Sequence, residues 1–371
     1  MGIKVKQWIL NMPEYIPGKT INEIKREYNL KKVYKLASNE NLYGPDPGVI
    51  EEIYKNLKDI KYYPDSHCRE IRQRIGEKFD IDINSVIIGN GTDQIIEMIC
   101  DSYIETGNNI VISDPTFLIY EKSTLKCNGR AIKVPLKNFR QDAERLVDSV
   151  NDKTRVLFLT NPHNPTGTNI NYEEFDYIIK NIKNNVLLVV DEAYSEYMLD
   201  KDRVDTINYL PAYDNLVVLR TFSKAYGLAG LRIGYGIADS KIVSSLNRVR
   251  LPFNVNFIAQ KAAVKALENE SYVNEIKDRI CNEKNKYYGI LSENGIEFIK
   301  SHANFVLIRT GRDTDAIVEE LLGKGFIVRP GKNIGLPGYI RVTMALPDIN
   351  DMFLASFVQI VNEVRGKRKS K

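Results

Sequence analysis

The sequence reads RTFSKAYGLAGLR from Arg220 to Arg232, directly after an apolar run, Leu216 to Leu219, that is typical of a buried strand. Hydroxyls, a lysine and an arginine therefore stand just past a strand end, where ligands bind in open α/β sheets. Lys224 is a candidate nucleophile that can form a Schiff base. Thr221, Ser223 and Arg232 supply two hydroxyls and a guanidinium, a set that can hold a phosphate dianion.

A second buried-strand run, Val186 to Val190, is followed by the sequence Asp-Glu-Ala-Tyr. Asp191 at this strand end can pair with a protonated ring nitrogen, and Tyr194 can reach a phenolate oxygen. A lysine, a phosphate site, an aspartate and a tyrosine together are typical of a pyridoxal phosphate (PLP) site. The residues alone therefore predict PLP as the cofactor.

A third segment, Gly89 to Asp93, separates a short strand (86–88) from a helix predicted from about residue 94 to 103. Small residues in this position let backbone N–H groups converge on an anion at the helix N-terminus. Gly91, Thr92 and Asp93 are thus predicted as a second phosphate contact. Asp93 is also predicted to cap the helix.

The chain at this point resembles the fold-type I PLP-dependent aminotransferases and, among them, the histidinol-phosphate aminotransferases. The resemblance runs from about Tyr15 to the C-terminal helix and is carried by Asn39–Glu40–Asn41, Tyr63–Pro64–Asp65, Asn161 to Gly167, the lysine stretch and Arg341. It implies an α/β fold with a mostly parallel seven-stranded sheet, helices on both faces and a smaller α+β domain. Residues 232–238 would form the one antiparallel strand.

The resemblance also assigns cofactor contacts. It implies that Lys224, Asp191 and Tyr194 are catalytic, that Phe117 stacks on the pyridine ring, and that Asn164 contacts the phenolate oxygen. Tyr63 would cross a dimer interface to the phosphate of the neighbouring subunit. A homodimer with shared active sites is therefore expected.

Substrate contacts follow from charge and from the resemblance. Arg329 and Arg341 each stand in an apolar strand-like run, where an arginine is uncommon unless it meets an anion. The resemblance places Arg341 on a substrate carboxylate or its equivalent, and places Arg329 and Tyr15 near a substrate phosphate. Asn39 is grouped with these substrate-binding residues. The implied reaction moves an amino group between histidinol phosphate and glutamate or 2-oxoglutarate, in histidine biosynthesis.

Other activities of the same fold stay open. One is an aromatic amino-acid transaminase, and another is an enzyme like threonine-phosphate decarboxylase. A non-catalytic PLP-binding regulator is disfavoured because no DNA-binding helical module precedes residue 15. The sequence departs from the family pattern at Leu42, His163 and Ala345, and His163 is interpreted as a loop residue and not as a catalytic base.

Composition limits the number of domains and the classes of protein that remain possible. The 371 residues, 43% of them hydrophobic, are enough for two cores. We expect an arm at 1–34, a large PLP-binding domain at 35–250 and a small C-terminal domain at 251–371. No apolar run is long enough for a membrane span, and no signal peptide pattern is present, so a cytoplasmic protein is expected.

Metal and nucleic-acid binding are not expected. The four cysteines and three histidines are scattered, without the spacing of metal ligands. A net charge of +4 is a weak bias that does not indicate nucleic-acid binding. The basic segment 365–371 is interpreted as a solvated terminus.

Overall fold

A computed structural model describes residues 3–12, 14 and 19–369, with the side chains of residues 365–369 outside the description. In chain order the strands are β1 Tyr34–Lys35, β2 Val86–Gly89, β3 Asn109–Asp114, β4 Arg130–Pro135, β5 Thr154–Thr160, β6 Leu187–Asp191, β7 Leu216–Thr221, β8 Gly234–Ala238, β9 Phe298–Ile299, β10 Phe305–Arg309, β11 Phe326–Ile327, β12 Arg329–Pro330 and β13 Tyr339–Thr343.

The α-helices, in the same order, are α1 Gln7–Leu10, α2 Ile21–Glu27, α3 Pro47–Asn56, α4 Arg69–Phe79, α5 Gly91–Tyr103, α6 Ile119–Lys126, α7 Ala143–Asp148, α8 Tyr172–Asn181, α9 Ser240–Val249, α10 Phe257–Leu267, α11 Glu270–Glu293, α12 Thr314–Gly323 and α13 Pro347–Lys369.

The large sheet has seven strands in the order β2-β8-β7-β6-β5-β3-β4. Strand β8 is antiparallel to both of its neighbours, and the five strands on the β7 side run parallel. Alternate residues of β6 enter two apolar layers: Leu187 and Val189 face α5, α6 and α9, whereas Leu188 and Val190 face α4, α7 and α8. A parallel sheet covered on both faces needs such uninterrupted apolar runs, and the predicted fold class is confirmed.

A second sheet of four antiparallel strands, in the order β12-β13-β10-β9, forms from the C-terminal part of the chain. Its buried side chains pack with those of α11, α12 and α13. Strand β1 pairs in parallel with β11, and the Thr343 amide donates to the Leu36 carbonyl at 2.9 Å. Residues 34–35 thus form a separate two-stranded sheet with β11, and Leu36 bonds to the four-stranded sheet at Thr343, although these residues precede the large sheet in the sequence.

Three local predictions were wrong in detail. Helix α5 begins at Gly91, so Asp93 is its third residue and not its cap. The strand predicted at 232–238 begins at Gly234, because Arg232 has a left-handed backbone with φ +56° that cannot continue a strand. The apolar run before Arg329, which was expected to form one strand over 326–329, is divided at Val328 into β11 and β12, which pair with different strands.

Candidate active site

A cavity of about 280 Å³ lies at the carboxyl edge of the large sheet. Its wall includes Thr160, Asp191 and Thr221, the last residues of three neighbouring parallel strands, β5, β6 and β7. Strand ends of this kind bring together residues that are distant in the sequence. The other predicted residues in the wall are Asn39, Thr92, Asp93, Phe117, Asn164, Tyr194, Ser223, Lys224, Arg232, Arg329 and Arg341.

Asp191 is buried at the base of this cavity. Its Oδ2 accepts a hydrogen bond from the Tyr120 hydroxyl at 2.7 Å, and its Oδ1 accepts one from the Ala193 amide at 3.1 Å. Burial raises the pKa of Asp191 to about 6, although both of these bonds favour the ionised carboxylate and act in the opposite direction. The two hydrogen bonds thus fix the orientation of the carboxylate. A positively charged group beside it would stabilise its ionised form.

Lys224 and Tyr194 lie side by side in the cavity wall. Lys224 Nζ donates to the Ser38 carbonyl at 3.1 Å and lies 5.6 Å from the centre of the Tyr194 ring. The Tyr194 hydroxyl accepts a hydrogen bond from Asn39 Nδ2 at 2.9 Å. An amine, a phenol and the Asp191 carboxylate therefore lie in one cavity. All three are groups that can take part in proton transfer.

The phosphate cradle, by which we mean Gly91, Thr92, Asp93, Thr221, Ser223 and Arg232, lies beside them. Arg232 contacts Ser223 Oγ at 3.4 Å and Asp93 at 3.1 Å. A Cβ added to Gly91 would lie 2.6 Å from Arg232 Nη2, so a larger residue would displace the guanidinium. The cradle combines a guanidinium, hydroxyls and a helix N-terminus, all of which bind anions.

Arg329 and Arg341 are direct cross-strand neighbours, because β12 and β13 pair them in register. Arg341 is only 7% exposed; its guanidinium donates to Asn164 Oδ1 at 2.5 Å and to the Ala37 carbonyl at 2.9 Å. Burial, together with the nearby charge of Arg329, lowers the pKa of Arg341 to about 10. Its buried Nε has no partner within the described residues.

Like charges placed directly opposite each other on paired strands are destabilising. Within the described ranges, no carboxylate forms an ion pair with Arg329 or Arg341. An anion bound between the two guanidinium groups would remove this repulsion. The arrangement therefore favours an anionic ligand at this position.

The sequence and the fold are similar to those of known proteins. The profile of the family described as aminotransferase class I and II matches residues 31–355. The chain belongs to this family.

Individual relatives are similar over nearly the whole length. A protein named histidinol-phosphate aminotransferase from Caldicellulosiruptor saccharolyticus is 40% identical over 96% of this chain and 99% of its own. One of the same name from Moorella thermoacetica is also 40% identical, over 96% of this chain and 93% of its own. The crystal structure of histidinol-phosphate aminotransferase from Sinorhizobium meliloti in complex with pyridoxal-5'-phosphate has a TM-score of 0.89 and 27% identity, and covers 97% and 98% of the two chains.

Two described residues that were predicted, Gly91 and Tyr63, are not among those that line the cavity of this aminotransferase. Tyr63 is 82% exposed and stacks on Phe253, with ring centres 4.6 Å apart, in a separate surface depression. Tyr15 lies outside the described residues.

His163 is buried, its Nδ1 lies 2.8 Å from Thr166 Oγ1, and burial lowers its pKa to about 3. A neutral buried imidazole outside the cavity wall agrees with its interpretation as a loop residue.

Sequence reasoning missed several residues of this site. Tyr120 contacts Asp191, and Leu118, Asn333 and Ile334 line the cavity. Tyr120 could have been found from its position, three residues after Phe117 and at the start of a helix that follows a strand end. Asn333 and Ile334 lie in a 3₁₀ turn between β12 and β13 and carry no comparable sequence signal.

Neither a cluster of metal ligands nor a helix of membrane-spanning length and polarity is found among the described residues. No group of three or more His, Cys, Asp or Glu side chains there is placed to hold a metal ion. No helix in the same residues is long and apolar enough to cross a membrane.

Proposed function

We propose that this aminotransferase uses PLP to transfer an amino group between histidinol phosphate and 2-oxoglutarate, in histidine biosynthesis in the cytoplasm. The observation that carries the substrate assignment is the in-register pair Arg329 and Arg341 in the same cavity as Lys224 and Asp191. The names of the relatives support the same substrate. The division into an arm, a large domain and a small domain at the boundaries given above is part of this proposal.

The residues present fit PLP. The cradle offers a guanidinium and hydroxyls to the phosphate, and Gly91 leaves the space that the Arg232 guanidinium occupies. Asp191 offers a buried carboxylate to a protonated pyridine nitrogen, and Phe117 offers an aromatic face. Tyr194 and Asn164 offer polar groups to the ring oxygen. When bound, PLP supplies an electron-accepting ring that stabilises negative charge at the substrate carbon.

Different residues of the chain transfer the proton and hold the PLP ring. Lys224 Nζ accepts and returns the proton at the substrate carbon, a role that contributes typically about 10²–10⁴-fold. Asp191 holds a proton on the ring nitrogen through a charge-assisted bond, worth about 1.5–3 kcal/mol. Asp191 must be ionised for this purpose, and the bonds from Tyr120 and Ala193 promote that state.

The arginine pair can serve both half-reactions. Histidinol phosphate carries a phosphate, whereas glutamate carries carboxylates, and a guanidinium binds either anion through parallel N–H bonds. Arg341 is held by Asn164 and Ala37, so its orientation is fixed before the substrate arrives. Arg329 is half-buried and adds the second positive charge.

A comparison of substrates tests this proposal. We expect kcat/KM for histidinol phosphate to exceed that for phenylalanine and for histidinol without its phosphate, with 2-oxoglutarate as the acceptor. Histidinol is the matched control because it differs only in the anion. Equal kcat/KM for histidinol and histidinol phosphate would contradict the substrate assignment, and release of carbon dioxide would indicate a decarboxylase instead.

We also propose a homodimer in which Tyr63 completes the active site of the partner subunit. The support is the exposed aromatic pair Tyr63 and Phe253, with Ile60, Tyr62 and Leu251 exposed nearby in the chain. Mixing inactive Tyr63→Ala and Lys224→Ala variants should restore part of the activity, because a mixed dimer holds one site with both residues intact. A fully active monomer by sedimentation would contradict this arrangement.

A further inference from the structure

Asn39 has an unusual backbone and full burial. It is 1% exposed and has φ +59°, a left-handed conformation that is uncommon outside glycine. It lies just after the segment 34–36, which pairs with β11 and bonds to Thr343 of the C-terminal sheet, and it lines the cavity. Asparagine adopts this conformation more often than most other residues do.

The surroundings of Asn39 come from both sheets. On the C-terminal side, its amide donates to Thr343 Oγ1 at 3.0 Å, its Oδ1 accepts from the same hydroxyl at 3.2 Å, and its carbonyl accepts from Asn304 Nδ2 at 3.0 Å. On the large-sheet side, its Nδ2 donates to the Tyr194 hydroxyl at 2.9 Å. All of these partners are buried.

The direction of these bonds matters for Tyr194. Thr343 Oγ1 accepts from the Asn39 amide and gives its single hydrogen to Oδ1, which leaves Nδ2 as the atom facing Tyr194. An NH₂ group only donates, so the Tyr194 oxygen accepts and its own hydrogen is free to point elsewhere. Tyr194 lines the cavity, where that hydrogen can reach a ligand.

We propose that Asn39 is a positioning residue, which forces the Tyr194 hydroxyl to donate into the cavity and fixes it relative to the C-terminal sheet. This inference rests on the proposed function for the identity of the ligand, the ring oxygen of PLP. This role is additional to the substrate contact expected from the sequence.

The test is a double-mutant cycle on PLP binding alone, without substrate. Asn39→Gly keeps the left-handed backbone and removes the side-chain bonds. Loss of one hydrogen bond should weaken PLP affinity about fivefold. It should also raise the pH midpoint at which the visible absorbance of bound PLP changes, because a donor to the deprotonated ring oxygen favours that form. Tyr194→Phe should shift the midpoint in the same direction.

The double variant decides whether Asn39 acts through Tyr194. Asn39→Gly added to Tyr194→Phe should cause no further shift of the midpoint. A further shift equal to that of Asn39→Gly alone would overturn the proposal. Asn128→Gly is the matched control, since Asn128 has the same φ of +59° in the turn after α6 and should leave both readouts unchanged.

Asn39→Asp tests the direction of the hydrogen bond between residue 39 and the Tyr194 hydroxyl. It also provides a second test of the proposal if Asn39→Gly does not fold. A carboxylate can only accept, so the Tyr194 hydrogen would turn to it and away from PLP. The midpoint should then shift as far as in Tyr194→Phe, and an unchanged midpoint would overturn the proposal. If the wild-type protein does not bind PLP, the proposed function fails instead, and the two failures are distinguishable.

Discussion

The cavity has a ring end and an arginine end, which differ in how their charges are satisfied. At the ring end, formed by Asp191, Lys224, Tyr194 and the phosphate cradle, Arg232 pairs with Asp93 and Asp191 accepts two hydrogen bonds. At the arginine end, Arg329 and Arg341 face each other in register across β12 and β13. The ring end is largely organised by the large sheet alone, whereas the arginine end requires the C-terminal sheet.

This difference indicates a division of roles. The ring end is organised before any ligand binds, as expected for a site that keeps its cofactor through many turnovers. The arginine end holds an uncompensated positive charge, which an incoming anion neutralises. Changes at the ring end should therefore affect all substrates, and changes at the arginine end should discriminate among them.

The largest expected effect comes from Lys224→Ala. Removal of the amine should lower kcat at least about 10²–10⁴-fold for every substrate, because proton transfer at the substrate carbon loses its base. The cradle is intact, so PLP should still bind, as absorbance after gel filtration would detect. Wild-type turnover in this variant would show that another residue performs the proton transfer.

A smaller and selective effect is expected from Arg329→Leu. Loss of one charge-assisted bond to the substrate phosphate, about 1.5–3 kcal/mol, should lower kcat/KM for histidinol phosphate roughly tenfold or more. Phenylalanine should be affected much less. Arg309→Leu is the matched control, since Arg309 lies on the same sheet but pairs with Glu297 at the surface. An equal loss for all substrates would assign Arg329 to stability.

The smallest effect is expected from Tyr120→Phe, which keeps the ring stacked on Phe158 and removes one bond to Asp191. PLP affinity should fall about fivefold. It should also become more sensitive to acid: PLP binding weakens as Asp191 is protonated below its pKa of about 6, and the lost donor raises that pKa further.

The measurement for Tyr120→Phe is the PLP dissociation constant against pH for both proteins. The acid limb of the variant should lie at higher pH than that of the wild type. Tyr287→Phe is the control, because Tyr287 is equally buried and bonded to Asn350 but lies in the C-terminal core. A parallel loss at all pH values would mean that Tyr120 does not act through the Asp191 carboxylate.

The ring end was more predictable from sequence than the arginine end. Asp191 and Thr221 follow apolar runs that are typical of buried strands, so their place at a common edge follows from the parallel sheet. The strand-like runs around Arg329 and Arg341 were also recognisable, but the register that places Arg329 opposite Arg341 was not. Register depends on pairing between distant segments, which no local pattern specifies.

Local backbone strain and polar surfaces explain the other structural features that were not predicted from the sequence. The left-handed backbones at Asn39 and Arg232 result from tertiary contacts, and neither residue type requires them. Strand β4 is an edge strand with little burial, so its sequence lacks the apolar run that identified its neighbours. The contact of Tyr120 with Asp191 joins residues 71 positions apart.

The pairing of residues 34–36 with the C-terminal strands also has a consequence for biosynthesis. The bonds from Asn39 to Thr343, and from Arg341 to Ala37, each join residues 304 positions apart. A chain emerging from the ribosome can complete the large sheet, which ends at Ala238, well before β13 is made. A nascent chain thus contains its reactive lysine long before it has a substrate site, and we expect substrate binding only once the last strand has been translated.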